Sequence, residues 1–315
     1  METKREFLKK MSLLALGGGM AVRTPLQAMS GISGSSRGKK AAGLQIYSLG
    51  RELTENVPEG MKKIAGMGYT HLELAGYRDG KVGSYGVKEY RKIVEDAGLR
   101  CTGSHVNGPE MEISSSKLQG IADFWKRTVE DHVQLGVSTL VQPMMPAIAT
   151  RDDVKVVCES FNQAGEIAKS AGIRWGYHNH NMEFRRIAKP GETPPSGPFA
   201  SFIPFGDPIY DLLLQGTDPS LVFFEMDVYW TVMGQADPLE YFETYPNRFP
   251  VLHIKDRSIL GASGMMNFPN IFTKAYEAGM ESYYVELEAV KSGMSQFEGV
   301  KACYDFLEQA PYVKG

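Results

Sequence analysis

Two histidines and a glutamate close the run IRWGYHNHNMEF, residues 173–184, whose first half has the make-up of a buried strand. The arrangement returns further along the chain: Glu225 and Asp227 in VFFEMDVYW, His253 and Lys255 in FPVLHIKD, Glu286 and Glu288 in YYVELEAV. Residues i and i+2 of a strand point to the same side, so His178 and His180 face together, as does each later pair. A single buried histidine or glutamate is ordinarily a hydrogen-bonded core residue. Four consecutive strands ending in such pairs are different, because converging like charges repel and each costs roughly several kcal/mol to desolvate. A divalent cation among them turns repulsion into coordination and keeps the carboxylates ionised. His178, Asp227, His253 and Glu286, one from each strand, are the expected ligands. Two imidazoles and two carboxylates without sulfur suit one Mn, Co, Zn, Fe or Mg ion and do not choose among them.

Bringing strand ends to one point requires a particular scaffold. Upstream of the four runs stand four more of the same kind, GLQIYSL, THLELAGY, RCTGSHV and TLVQPMM. Helix-period segments separate them, among them VPEGMKKIAGMG, GVKEYRKIVEDAG, IADFWKRTVEDHVQLG and RDDVKVVCESFNQAGEIAKSAG, several closed by the glycine that stops a helix. Strands alternating with helices imply a parallel sheet of βαβ units. Eight units in roughly 250 residues fit a single-domain α/β fold, the (β/α)8 TIM barrel. A doubly wound open sheet competes, but it would carry a Gly-rich phosphate turn after the first strand, and GLQIYSLGRELTENV has none. One connection, residues 185–221, is long and rich in Pro and Gly, with Phe199, Phe202 and Phe205 ahead of a short helix around IYDLLLQ. On a barrel it would sit over the C-terminal mouth.

Composition sets further bounds. With 23% charged residues, a net charge of -3 and no basic block, the chain is an ordinary globular protein unsuited to non-specific nucleic-acid binding. Cys101, Cys158 and Cys303 stand far apart and read as three small apolar residues. Residues 1–28 have a charged start, an apolar middle too short to span a bilayer, and a cleavage-like stretch near Ala28. They are expected to be an export signal, and KREFLKK resembles the twin-arginine type with Lys4 in place of the first arginine. Residues 29–40 then form a flexible lead-in and 41–315 the barrel. A soluble periplasmic protein without a membrane span follows, and self-association into a homo-oligomer is compatible with it.

WGYHNHNMEF, FFEMDVYW, VLHIKDR and YYVELE resemble the xylose isomerase-like TIM barrels, the sugar phosphate isomerase/epimerase superfamily, and the likeness extends from residue 41 to the end. Inosose dehydratases, ketose epimerases and keto-glycoside lyases belong to that superfamily. The resemblance implies one metal held by a ligand from each of the last four strands, at His178, Asp227, His253 and Glu286. Two positions depart from the pattern. Many epimerases have a glutamate where this chain has His178, paired with the eighth-strand glutamate as opposing bases, and a histidine where it has Trp230. This argues against a two-base epimerase, although Glu183 could restore the carboxylate.

The expected chemistry is deprotonation next to a sugar carbonyl, with the cation as Lewis acid for the resulting enediolate. Glu286, Glu183 and His180 are candidate bases, and Lys255 is placed to steady the oxyanion. Reprotonation gives isomerisation or epimerisation; loss of a β-substituent gives lyase or hydratase chemistry. Gln45, Glu73 and His105 at the ends of the first three strands, Arg257, and the stacking faces of Tyr229 and Trp230 are the expected substrate contacts. A neutral sugar or keto-sugar suits an exported protein without a phosphate cradle. A multi-zinc endonuclease of the same superfamily would need more ligands and a basic face, whereas a non-catalytic sugar-binding module remains the rival class.

Overall fold

The structure, a computed structural model, describes residues 41–200, 203 and 205–314. The expected export signal and lead-in, and Phe202 of the long connection, lie outside the described residues. Eight parallel strands close into a barrel: β1 (Gly43–Gln45), β2 (His71–Leu74), β3 (Arg100–His105), β4 (Thr139–Gln142), β5 (Arg174–His178), β6 (Val222–Asp227), β7 (Val251–Ile254) and β8 (Ser282–Val285). Each pairs with its neighbours in sequence, and β1 closes the ring against β8. A main helix follows each strand: α1 (Val57–Met67), α2 (Val87–Asp96), α3 (Leu118–Leu135), α4 (Arg151–Ser170), α5 (Ile209–Gly216), α6 (Pro238–Thr244), α7 (Phe268–Glu277) and α8 (Gln296–Gln309). This is the (β/α)8 arrangement.

Local chemistry sets the element ends. Helices α1 and α3 stop at Gly68 and Gly136, whose φ of 111° and 82° would strain any residue with a Cβ. Helices α4 and α8 start on capping boxes at Thr150 and Ser295. Two runs that look like unbroken strands change course. In GLQIYSL only Gly43–Gln45 is strand, because the Gln45 side chain accepts from Tyr47 N at 2.9 Å and turns the chain into a short 3-10 helix. In VFFEMDVYW the strand ends at Asp227, whose Oδ1 accepts from Trp230 N at 2.8 Å and caps a helix over Val228–Met233.

Outward strand residues such as Leu72, Leu140, Trp175 and Phe224 are buried under the helices, each worth about 1.5–3 kcal/mol for a large aliphatic or aromatic side chain. The inward residues form layers. At the N-terminal end Val141, Phe223, Val251 and Tyr284 make an apolar plug separate from the main core. Glycines on facing strands leave room for its rings: a Cβ on Gly176 would sit 2.6 Å from the Phe223 ring, and one on Gly103 would sit 2.7 Å from the Tyr284 hydroxyl. Above the plug the inward positions are polar.

Between β2 and α2 the chain makes a small antiparallel sheet, Tyr77–Arg78 against Lys81–Val82 against Tyr85–Gly86. Its first turn uses Asp79 and Gly80, both at positive φ (47° and 80°), as a two-residue hairpin turn requires. In the long connection Arg186–Ile187 pairs with Asp207–Pro208 before α5. The three cysteines are buried and free. Among the described residues no helix is long and apolar enough to cross a membrane.

Candidate functional site

The C-terminal ends of β5 to β8 bring His178, Asp227, His253 and Glu286 together, with one ligand-type atom of each within 4.8 Å of the others. Strand register does this: His178 lies level with Glu225, and Asp227 with His253. All four side chains are buried. Both ring nitrogens of His178, and Asp227 Oδ2, have no hydrogen-bond partner. Leaving such atoms bare costs about 1–3 kcal/mol each, a cost that coordination to a cation would remove. His178 Nε2 stands 3.7 Å from Asp227 Oδ2. Burial pushes the Asp227 carboxyl up to about 8 and holds His178 well below the usual imidazole range. Glu286 is drawn down to about 2 against its burial, chiefly by His253. Lys255, also buried, sits 3.3 Å from Glu288 and 3.8 Å from Glu286. The donor set, the burial and the bare atoms all fit a divalent cation.

Directly beneath lies a second polar layer, joined to the first by His253. Nδ1 of that ring faces Glu286 Oε2 at 3.2 Å, while Nε2 meets Glu73 Oε2 at 2.6 Å. His105 Nε2 lies 2.7 Å from Glu225 Oε2 and 3.1 Å from Glu73 Oε2. The Gln45 amide donates to Glu73 Oε2 at 2.8 Å. The His105 and His253 rings stack with centroids 5.0 Å apart. Burial and the neighbouring Glu225 push Glu73 up to about 7. Despite burial, His253 and a hydrogen bond from His105 hold Glu225 below its ordinary value. His253 is raised well above its usual range against its burial, first by Glu225 and then by Glu73. Glu73, His105, Glu225 and His253 also come within ligand distance of one another; here each imidazole is already bonded to a carboxylate, with Oε1 of Glu73 and of Glu225 left bare.

A cavity of about 1150 Å³ opens above this upper cluster, with His105, His178, His180, Glu286 and Glu288 in its wall. Of the expected substrate contacts His105 lines it. Gln45 and Glu73 are fully buried in the lower layer instead, behind the His178–Asp227–His253–Glu286 cluster. Tyr229 and Trp230 flank the Lys255 ammonium, 5.9 and 5.8 Å from their ring centroids. Arg257 is exposed beyond β7.

Of the expected bases, Glu183 is turned away from the cavity. It is fully buried, with one oxygen accepting from the Tyr177 hydroxyl and the other from His180 N at 3.0 Å. The 3-10 turn Met182–Phe184 folds it back on β5, so it fixes the segment that presents His180. His180 itself stands in the cavity wall, and burial lowers it to about 4, leaving a neutral imidazole at neutral pH.

Two contributors were missed from sequence. Asn179, between the histidines, is buried with Oδ1 accepting from the Tyr210 hydroxyl at 3.0 Å and from Asp227 N at 3.2 Å, which locks the ends of β5 and β6 together. Its place between His178 and His180, directly after the strand, is its only sequence signal. The hairpin after β2 supplies Tyr77, Arg78 and Asp79 to the cavity wall, and the Asp-Gly pair in YRDGKV was its signal.

Residues 61–309 match the xylose isomerase-like TIM barrel family. Two solved structures described as sugar phosphate isomerase/epimerase from Parabacteroides distasonis ATCC 8503 are similar over most of the chain. One is 52% identical, covering 90% of this chain and 100% of that one at a TM-score of 0.85. The other is 48% identical, covering 87% and 100% at a TM-score of 0.81. D-psicose 3-epimerase from Clostridium cellulolyticum H10 shares the fold at 14% identity, covering 87% of this chain and 99% of that one with a TM-score of 0.63. No curated protein matches the chain.

Proposed function

The chain belongs to the xylose isomerase-like TIM barrel family, and on that premise we propose that it is a divalent-metal-dependent sugar isomerase or epimerase acting on a neutral sugar or keto-sugar. The bare, buried donors of His178 and Asp227 within the four-ligand cluster carry this proposal. His178, Asp227, His253 and Glu286 would hold one Mn, Co, Zn, Fe or Mg ion. When bound, the ion supplies Lewis acidity to a sugar carbonyl and its neighbouring hydroxyl.

The chain's own groups do the rest. Glu73 fixes the His253 ring through Nε2, which leaves Nδ1 facing the ligand cluster. His180, a neutral imidazole in the cavity wall, takes the proton from the carbon next to the carbonyl. Lys255 is a buried positive charge placed to stabilise the negative charge that builds on the substrate oxygen. Return of the proton by His180 to the adjacent carbon gives the isomer; protonation on the opposite face, which needs a second acid besides His180, would give the epimer. Expulsion of a β-substituent instead would make the enzyme a lyase.

Neutral rather than phosphorylated substrates suit the cavity lining, where two arginines, Arg78 and Arg127, and two aspartates, Asp79 and Asp131, sum to no net charge. They also suit the signal-like residues 1–28, which we take to direct the protein to the periplasm. Incubating the manganese-loaded protein in deuterated water with ketoses, keto-sugars and sugar phosphates tests this by proton NMR. Loss of a C–H signal from a neutral sugar is expected. Exchange confined to phosphates would overturn the neutral-substrate reading, and exchange with none would favour the sugar-binding module.

A further inference from the structure

The cation ligands occupy only one end of the cavity. The rest of its wall comes from the opposite side of the barrel mouth: Tyr47 after β1, the hairpin after β2, the segment after β3, and α3. In the order of the ring β2 stands across from β6, and β3 across from β7. This wall therefore faces the ligand cluster over the mouth. At about 1150 Å³ the whole cavity exceeds the roughly 300–1,000 Å³ that encloses a drug-sized molecule. A single sugar ring at the cation site would leave most of it unfilled.

The far wall is firmly built. The Tyr77 hydroxyl donates to Asp131 Oδ2 at 2.6 Å and accepts from Gly80 N at 3.3 Å, which clamps the hairpin turn to α3. The Tyr77 ring packs edge-on against the buried His132 ring, 4.5 Å between centroids. Arg78 and Asp79, both exposed, follow Tyr77 in the hairpin and line the same wall as the exposed Arg127 of α3. Among the described residues neither arginine has an ion-pair partner, so both guanidinium forks are free to donate. Phe124 and the exposed ring of Tyr47 add apolar faces. Donor forks, carboxylates and aromatic faces together match a polyhydroxylated ring, whereas the two aspartates oppose a purely anionic occupant.

We propose that this end is a second sugar subsite, so that the substrate is a neutral disaccharide or longer glycan. Its reacting ring sits at the cation ligands and the next ring lies between the hairpin and α3. This rests on the proposal that the reacting group is a sugar. Isothermal titration of the full chain, manganese-loaded, against glucose and fructose and against maltose, cellobiose, trehalose and sucrose tests it. At least one disaccharide should bind about tenfold or more tighter than either monosaccharide. The double substitution Arg78→Ala, Arg127→Ala should erase that preference, with retained metal content as the check on folding. The proposal is overturned if no disaccharide binds better than the monosaccharides, or if the preference survives the double substitution. Binding is read here without turnover, so a lack of deuterium exchange would sink the enzymatic proposal and leave this one standing.

Discussion

Two layers of buried charge sit one above the other in this barrel, made of the same residue types and sharing His253, yet they are finished differently. In the lower layer Glu73 and Glu225 each have an oxygen held by imidazole nitrogens, with Gln45 adding an amide. In the upper layer both nitrogens of His178 and one oxygen of Asp227 have no hydrogen-bond partner. The residue list alone does not separate an internal ion-pair network from a cation site. The difference lies in the imidazoles: those of the lower layer are bonded to carboxylates, although one oxygen each of Glu73 and Glu225 is also bare, whereas the His178 ring has no partner on either nitrogen.

The largest expected effect is on metal content. His178→Ala should empty the upper layer of metal, measured by elemental analysis, while circular dichroism shows an intact barrel. The loss should exceed the roughly 10–100-fold expected from a residue that only supports a ligand, and full occupancy in this variant would erase the distinction between the layers. Next, Glu225→Gln should cost about 1–3 kcal/mol in denaturant unfolding, since it removes the carboxylate bonded to His105 at 2.7 Å and leaves Glu73 as the one carboxylate facing both imidazoles of the lower layer. A neutral result would mean that the lower layer is not the network described. Glu73→Gln should act on both layers through His253 Nε2 and weaken metal affinity by roughly 10–100-fold; unchanged affinity would uncouple them.

The smallest effect is a pH slope. Without a cation the buried Asp227 keeps its proton up to about pH 8, and only the ionised carboxylate ligates. Lowering the pH below that point adds proton competition, so affinity should fall by at least about tenfold per pH unit and level off above it. Metal titrations at a series of pH values check the sign, and a flat profile would remove Asp227 from the ligand set.

Much of the barrel and the upper layer was legible in the sequence because alternation along a strand is a local property. VFFEMDVYW and FPVLHIKD state which residues share a face. They do not state depth, which depends on how neighbouring strands are staggered around the closed ring. Gln45 and Glu73 therefore read as mouth residues, yet they lie a layer below, with a register irregularity between Leu72 and Glu73 in the pairing of β2 with β3. Glu183 read as a base because it could restore the carboxylate that His178 replaces on the fifth strand, but a 3-10 turn reverses its direction. The hairpin wall was written in Asp79 and Gly80, a turn signal whose importance appears only once α3 is seen beside it.

The apolar plug of Val141, Phe223, Val251 and Tyr284 makes the barrel a cul-de-sac. Among the described residues these four buried side chains fill the barrel floor, so whatever is admitted at the mouth leaves by the mouth. On the proposed disaccharide reading, a chain of sugars would be worked on only at its tip, with the trailing units left outside.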